Sequence, residues 1–204
     1  MIAEGIHYRA QFPGKVEEDT ENLLHSYFYL DISLPDLYKH WSTVDPHFKT
    51  TALRFAGVRI LRQDPWECLV GFICSSNNNI ARITQMMEKL CIHYGTKLGT
   101  LNGHVYYDFP APNALAHPSV EQNLRRLGFG YRAKYIQSTA HTIAHEKPKG
   151  WLHSLRGQPY SVAKESLLGL SGVGAKVADC VVFQYKVYLK IVSVFFGSTV
   201  GHTC

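Results

Sequence analysis

Seven residues, Leu170-Ser171-Gly172-Val173-Gly174-Ala175-Lys176, restrict the fold of this chain more than any other stretch. They join two segments whose apolar residues recur at helical spacing. The two glycines allow a tight turn with bare backbone. The helix that follows then begins with its first N–H groups free. A glycine turn feeding a helix N-terminus makes an anion cradle, and phosphate is the anion it suits. Such a helix-hairpin-helix grips a nucleic-acid backbone without reading sequence. An ordinary interhelical turn is the plainer alternative, but it gives no reason for bare glycines on both sides of Val173.

Most of the remaining sequence also reads as helix. One helix is expected from about Val16, with Glu17, Glu18 and Asp19 at its positive end and a stripe of Leu23, Leu24, Tyr27 and Phe28. A short one follows Ser33, with Pro35 in its first turn and Leu34, Leu37, Tyr38 and Trp41 pointing inward. Another opens at Asp45-Pro46. Asp64-Pro65-Trp66-Glu67 carries an N-cap, a first-turn proline and an acid in helical order. A polar break over 75–79 leads to a long amphipathic helix ending near Gly95. The prolines of 96–118 predict a loop. Further helices are expected up to Leu127-Gly128, from Tyr131 to about His145, and from Ser161 to Gly169.

The 204 residues, 46% of them hydrophobic, suffice for a real core. A net charge of +5 permits a polyanionic partner without demanding one. The five cysteines, Cys68, Cys74, Cys91, Cys180 and Cys204, form no CxxC pair. They read as reduced thiols of an intracellular protein, with no disulfide frame, zinc site or iron–sulfur cluster. No metal and no cofactor is expected. Residues 1–14 contain no apolar run of the kind that opens a secretory signal. The apolar stretch 187–200 is too short to span a membrane and is broken by Lys190, so no membrane partner is expected.

Lys176 is the candidate nucleophile. A lysine attacks a sugar C1′ only as the neutral amine, and an exposed one, with a pKa of about 10.4, is nearly all ammonium. The positive end of a helix and partial burial would both disfavour the cation there. A lysine that simply pairs with phosphate is an equally sensible reading of the spacing.

The resemblance of three segments decides between them. Gly172-Val173-Gly174-Ala175-Lys176-Val177-Ala178-Asp179-Cys180 resembles the signature of the 8-oxoguanine DNA glycosylases. Phe72-Ile73-Cys74-Ser75-Ser76-Asn77-Asn78-Asn79-Ile80-Ala81-Arg82-Ile83 and Gly128-Phe129-Gly130-Tyr131-Arg132-Ala133 are similar to two more of its segments, in the same order. The resemblance runs from about Ile6 to Cys180. It implies a mainly α fold, a helix-hairpin-helix DNA glycosylase core. It also implies base-excision repair: a flipped 8-oxoguanine opposite cytosine, attack at C1′ by a lysine, and β-elimination at the abasic site.

On that resemblance Lys176 matches the Schiff-base lysine. Asn77 matches the residue that fills the gap left by the flipped nucleotide, and Tyr131 the wedge at the kink. Arg82 and Arg132 match the pair that holds the orphaned cytosine, whose O2 and N3 accept while arginine only donates. Gly172 and Gly174 match the phosphate-gripping hairpin. Cys180 matches the thiol beside the lysine, one helical turn on. Read without the family, the Asn77–Asn79 run is a loop with an N-cap, the arginines are solvated charges, Tyr131 is core packing and Cys180 a small buried hydrophobe.

The chain departs from the family in one respect that bears on chemistry. The family carries an aspartate about twenty residues after its lysine, and here residues 190–197 contain no acid. Asp179 lies on the lysine's own helix and is no substitute. Loss of such an electrostatic partner costs about 10²–10⁴-fold in rate. The expected organisation is an incomplete glycosylase core: residues 1–15 a remnant of a β-rich region, 16–182 the helical core with its hairpin at 170–176, and 183–204 a divergent apolar tail. Three readings stay open at this point: an enzyme impaired in excision, a non-catalytic DNA-binding fragment, and an inactive splice isoform. The resemblance implies a monomer whose partner is double-stranded DNA with oxidised guanine or abasic sites. It places the protein in the nucleus, the mitochondrion or both.

Overall fold

The computed structural model describes residues 17–185, and its architecture is mainly α. The β-rich remnant expected over 1–15 lies outside the described residues, as does the expected apolar tail beyond residue 185. Two compact units form, one reaching to Arg62 and the other beginning at Gln63.

The first unit holds α1 (Glu17–Tyr27), α2 (Leu34–Val44) and α3 (Pro46–Ala52). Ser33 caps α2 and Asp45 caps α3, each followed by a proline in the first turn, as the sequence predicts. Tyr38, Trp41 and Phe48 pack edge to face, with ring centroids 5.4 Å apart in the Trp41–Phe48 and Tyr38–Phe48 pairs. The predicted stripe on α1 is only partly right. Leu23 is 61% exposed, and the buried aromatic is Tyr29, whose ring lies 4.4 Å from the Arg62 guanidinium.

The second unit carries the hairpin. Its core is built on α4 (Pro65–Ser75), whose Leu69, Val70, Ile73 and Cys74 are fully buried. Asp64 starts this helix by accepting from the N–H groups of Trp66 and Glu67. Around α4 lie α5 (Ile80–Tyr94), α8 (Arg132–His141), α9 (Trp151–Ser154) and α11 (Ala175–Tyr185). The helices α6 (Pro112–Leu115), α7 (Ser119–Arg126) and α10 (Tyr160–Leu168) complete the unit. Leu90, Leu115, Leu124, Phe129, Ile136, Leu167, Val181 and Val182 all join the same dry core.

Two expectations need correction. The predicted loop over 96–118 contains a β-hairpin, β1 (Lys97–Leu101) against β2 (His104–Tyr107), and the short α6. Asn102 and Gly103 both have positive φ, 50° and 80°, the geometry of the two-residue turns that match strand twist. The helix predicted from Tyr131 to His145 begins at Arg132 and changes pitch after His141, where Thr142–Glu146 forms a π-helical turn.

Candidate nucleic-acid interface

Lys176 and the hairpin come first. Gly172 has φ +76°, and a Cβ there would lie 2.5 Å from Cγ of Tyr135. Its bareness is therefore demanded from inside the protein, by backbone geometry and a neighbouring ring. Gly174 differs. It is exposed, and a Cβ would meet nothing within 4 Å. Phosphate approach is therefore not needed to account for Gly172, and at Gly174 nothing inside the protein requires a glycine. Two internal bonds fix the turn itself, from Val173 N–H to Leu170 C=O at 3.2 Å and from Ala178 N–H to Gly174 C=O at 3.0 Å. Thr139 Oγ1 donates to Ser171 C=O at 2.7 Å and ties α8 to the hairpin.

Lys176 is the second residue of α11 and is exposed. The partial burial expected for it is absent, because α11 turns Val177, Ala178, Val181 and Val182 into the core. Among the described residues it forms no ion pair or hydrogen bond. Cys180, one turn further, is half-buried. Burial pushes its thiol up, and the Lys176 charge pulls it back down. Asp179, between them in sequence, is engaged elsewhere: its Oδ1 is 2.8 Å from Lys164 Nζ and accepts from the Tyr160 hydroxyl.

The three asparagines divide their work. Asn79 caps α5 by accepting from Arg82 N–H at 2.9 Å. Asn78 donates to Cys74 C=O at 2.9 Å. Asn77 is exposed with φ 47°, and among the described residues its side chain makes no hydrogen bond. The cap reading suits Asn79; Asn77 is the member left facing outward.

Facing this loop is Gly128-Phe129-Gly130-Tyr131, pinned by Phe129, which is fully buried. Arg82 Nη2 donates to Gly128 C=O at 3.1 Å. Tyr131 Oη donates to Ser76 C=O at 3.1 Å, and the residue is 47% exposed. Arg132 is 3% exposed; its Nη2 donates to Ser76 C=O and, at 3.1 Å, to Asn77 C=O. Its guanidinium carbon lies 4.6 Å from the Tyr131 ring centroid. Asn77, Arg82, Tyr131 and Arg132 thus meet around two facing loops, and Arg132 is a strut of the arrangement.

Tyr135 and Thr139 were not singled out from sequence, yet they join the loops to the hairpin. Tyr135 and Thr139 stand four residues apart along one ridge of α8, and Tyr131, the residue that leads into the helix, precedes Tyr135 by the same spacing. Tyr131 and Tyr135 pack edge to face at 5.8 Å, Tyr135 covers Gly172, and Thr139 holds Ser171. The spacing 131, 135, 139 was the available signal.

Among the described residues no group of three or more His, Cys, Asp or Glu is placed to hold a metal ion. Likewise, no helix is long and apolar enough to cross a membrane.

The chain resembles known proteins in sequence and in fold. Residues 3–69 match the N-terminal domain of 8-oxoguanine DNA glycosylase, and residues 70–193 match the HhH-GPD superfamily base excision DNA repair protein. The chain is 44% identical over 167 residues to an N-glycosylase/DNA lyase of Saccharomyces cerevisiae, covering 78% of this chain and 44% of that protein. It is 43% identical to N-glycosylase/DNA lyase OGG1 of Arabidopsis thaliana, covering 80% of this chain and 45% of that one. The chain therefore spans less than half the length of these two curated relatives. The 8-oxoguanine glycosylase/lyase of Clostridium acetobutylicum, solved with double-stranded DNA containing cytosine opposite 8-oxoG, superposes with a TM-score of 0.75. It is 30% identical and covers 91% of this chain and 66% of that one. The chain belongs to the HhH-GPD superfamily of base excision DNA repair proteins and, within it, to the 8-oxoguanine DNA glycosylases.

Proposed function

We propose that the chain acts on double-stranded DNA containing 8-oxoguanine opposite cytosine, through a Schiff base on Lys176. One observation carries this reading: an exposed, unpaired amine stands in the first turn of α11, entered through the bare Gly174. That turn offers free N–H groups to a phosphate and places the amine beside it. The backbone bound at the hairpin presents a sugar to Lys176, whose neutral amine attacks C1′ and displaces the base. The nitrogen then loses a proton, the C1′–O4′ bond opens with O4′ taking a proton, and the imine that results makes the neighbouring C2′ proton acidic; its transfer to a base, water or the departed base, expels the 3′ phosphate.

The loops of the same unit supply the rest. Asn77, its side chain outward and without a hydrogen bond among the described residues, fills the gap in the stack. The half-exposed ring of Tyr131 lies against a base step. Arg82 reaches the orphaned cytosine from α5. Arg132 joins it by giving up the Ser76 and Asn77 carbonyls. Cys180 lines the base side of the lysine.

Excision is the weaker half of the activity. No acid follows Asp179 in the sequence, so no carboxylate from that stretch offsets the positive charge that develops on the sugar. The lyase step needs mainly the amine and an abasic aldehyde, with a base to take the C2′ proton.

Borohydride trapping tests this on two duplexes, one with 8-oxoguanine opposite cytosine and one with a ready-made abasic site. A Lys176-dependent adduct on both, faster on the abasic duplex and absent in Lys176→Gln, is expected. Binding of both duplexes without any adduct would overturn the enzyme reading and leave a DNA-binding protein.

A further inference from the structure

Lys176 and Asp179 stand three residues apart on α11, the spacing at which a lysine and a carboxylate on one helix normally meet. They do not pair. The Asp179 carboxylate is drawn to α10, on the other side of the hairpin, where Lys164 Nζ lies 2.8 Å from Oδ1 and the Tyr160 hydroxyl donates to the same oxygen. Lys164 and Asp179 are 28% and 21% exposed, so the contact is partly shielded from water. Lys164 Nζ also reaches the Tyr160 hydroxyl at 3.5 Å.

The protonation states hold this arrangement in place. The hydrogen bond to Asp179 raises the Lys164 ammonium above its ordinary range. Burial, followed by the Asp179 hydrogen bond, raises the Tyr160 phenol. Neither partner releases the carboxylate near neutral pH.

We propose that Lys164 and Tyr160 are positioning residues that hold the Asp179 carboxylate away from the Lys176 amine. The inference rests on Lys176 being the nucleophile. An attacking lysine must shed its proton, and a carboxylate within reach would stabilise the ammonium form. Sequestering Asp179 leaves Lys176 with the neutral Cys180 thiol as its neighbour one turn on.

The remaining titratable groups on elements packed against α11 do not fill the gap. Glu67, Cys68 and Cys74 lie on α4, Glu165 on α10, and Arg156 in the 3₁₀ turn that follows α9. Asp64, at the start of α4, faces His153 at 3.6 Å. None of them forms an ion pair with Lys176.

The test is the rate of borohydride trapping on an abasic duplex, followed between about pH 6 and 9. In Lys164→Met the freed carboxylate should turn to Lys176. The profile should then move to higher pH, and trapping near neutrality should slow by about two- to threefold, the scale of one exposed helical ion pair. Lys164→Arg should restore the original profile. Adding Asp179→Asn to Lys164→Met should abolish the shift, which a general loss of rigidity would not do. Tyr160→Phe, the milder change, should move the profile the same way by less and serves if Lys164→Met does not melt cooperatively. A Lys164→Met profile superimposable on the original, or a shift that survives Asp179→Asn, would overturn the proposal. If even the unmodified chain is never trapped, the nucleophile reading fails and this inference falls with it.

Discussion

The ring of Tyr135 occupies the space that a side chain at Gly172 would need, with Cγ only 2.5 Å from where a Cβ would stand. Gly172 also holds φ +76°, so two separate constraints coincide at one position. Gly174, two residues on, carries neither. The hairpin thus has one glycine for its own architecture and one that leaves its outer surface clear.

The two glycines should therefore fail in different ways. Gly172→Ala is expected to destabilise the protein by about 2–4 kcal/mol, from left-handed strain together with crowding against Tyr135. Gly174→Ala is expected to cost less than about 1 kcal/mol while weakening duplex binding, because its methyl stands where a phosphate would approach. Thermal melting and fluorescence anisotropy on the same two variants separate these outcomes.

Arg132 braces the Ser76–Asn77 backbone from a buried position. Arg132→Met should lose about 2–3 kcal/mol, the scale of hydrogen bonds from a charged donor. Amide hydrogen exchange at residues 77–79 should accelerate more than elsewhere in the unit. Uniform acceleration would mean that the strut is not local.

Thr139 is fully buried and its hydroxyl holds Ser171 C=O. Thr139→Val keeps the shape and removes the donor, so about 1–2 kcal/mol should be lost. The accompanying drop in DNA affinity should exceed that of a core substitution of equal cost distant from the hairpin.

Burial pushes the Cys68 and Cys74 thiols up to about 12. In the unfolded chain the same thiols ionise near 9.0, so above that pH the unfolded state releases protons that the folded state retains. Stability should fall as pH rises from about 9 towards 12, and a Cys74→Ala chain should lose less over that window. At pH 8 a thiol reagent should label Cys91 and Cys180 before Cys68 and Cys74.

The helix starts were legible because capping is local chemistry. Ser33, Asp45, Asp64 and Asn79 each accept from backbone N–H groups within three residues. The hairpin was legible for the same reason. The strands were missed because the prolines around them outweighed Asn102-Gly103, a two-residue turn signal that needs only flanking extended residues. The exposure of Lys176 and the burial of Arg132 could not be read, since each depends on what packs against its helix from far along the chain. The site residues Asn77, Arg82, Tyr131 and Arg132 came from resemblance. Their mutual contacts, and the part played by Tyr135, came only with the fold.

The struts of this unit end on main-chain oxygens. Arg82 takes Gly128, Lys89 takes Leu127, Tyr131 and Arg132 share Ser76, and Thr139 takes Ser171. A carbonyl belongs to every residue type, so no missense change at those four receiving residues deletes the acceptor. Inherited damage to the scaffold should therefore be lopsided: tolerated where bonds are received, concentrated in the few donors, and nearly silent at Ser76 and Leu127 even though the interface hangs from them.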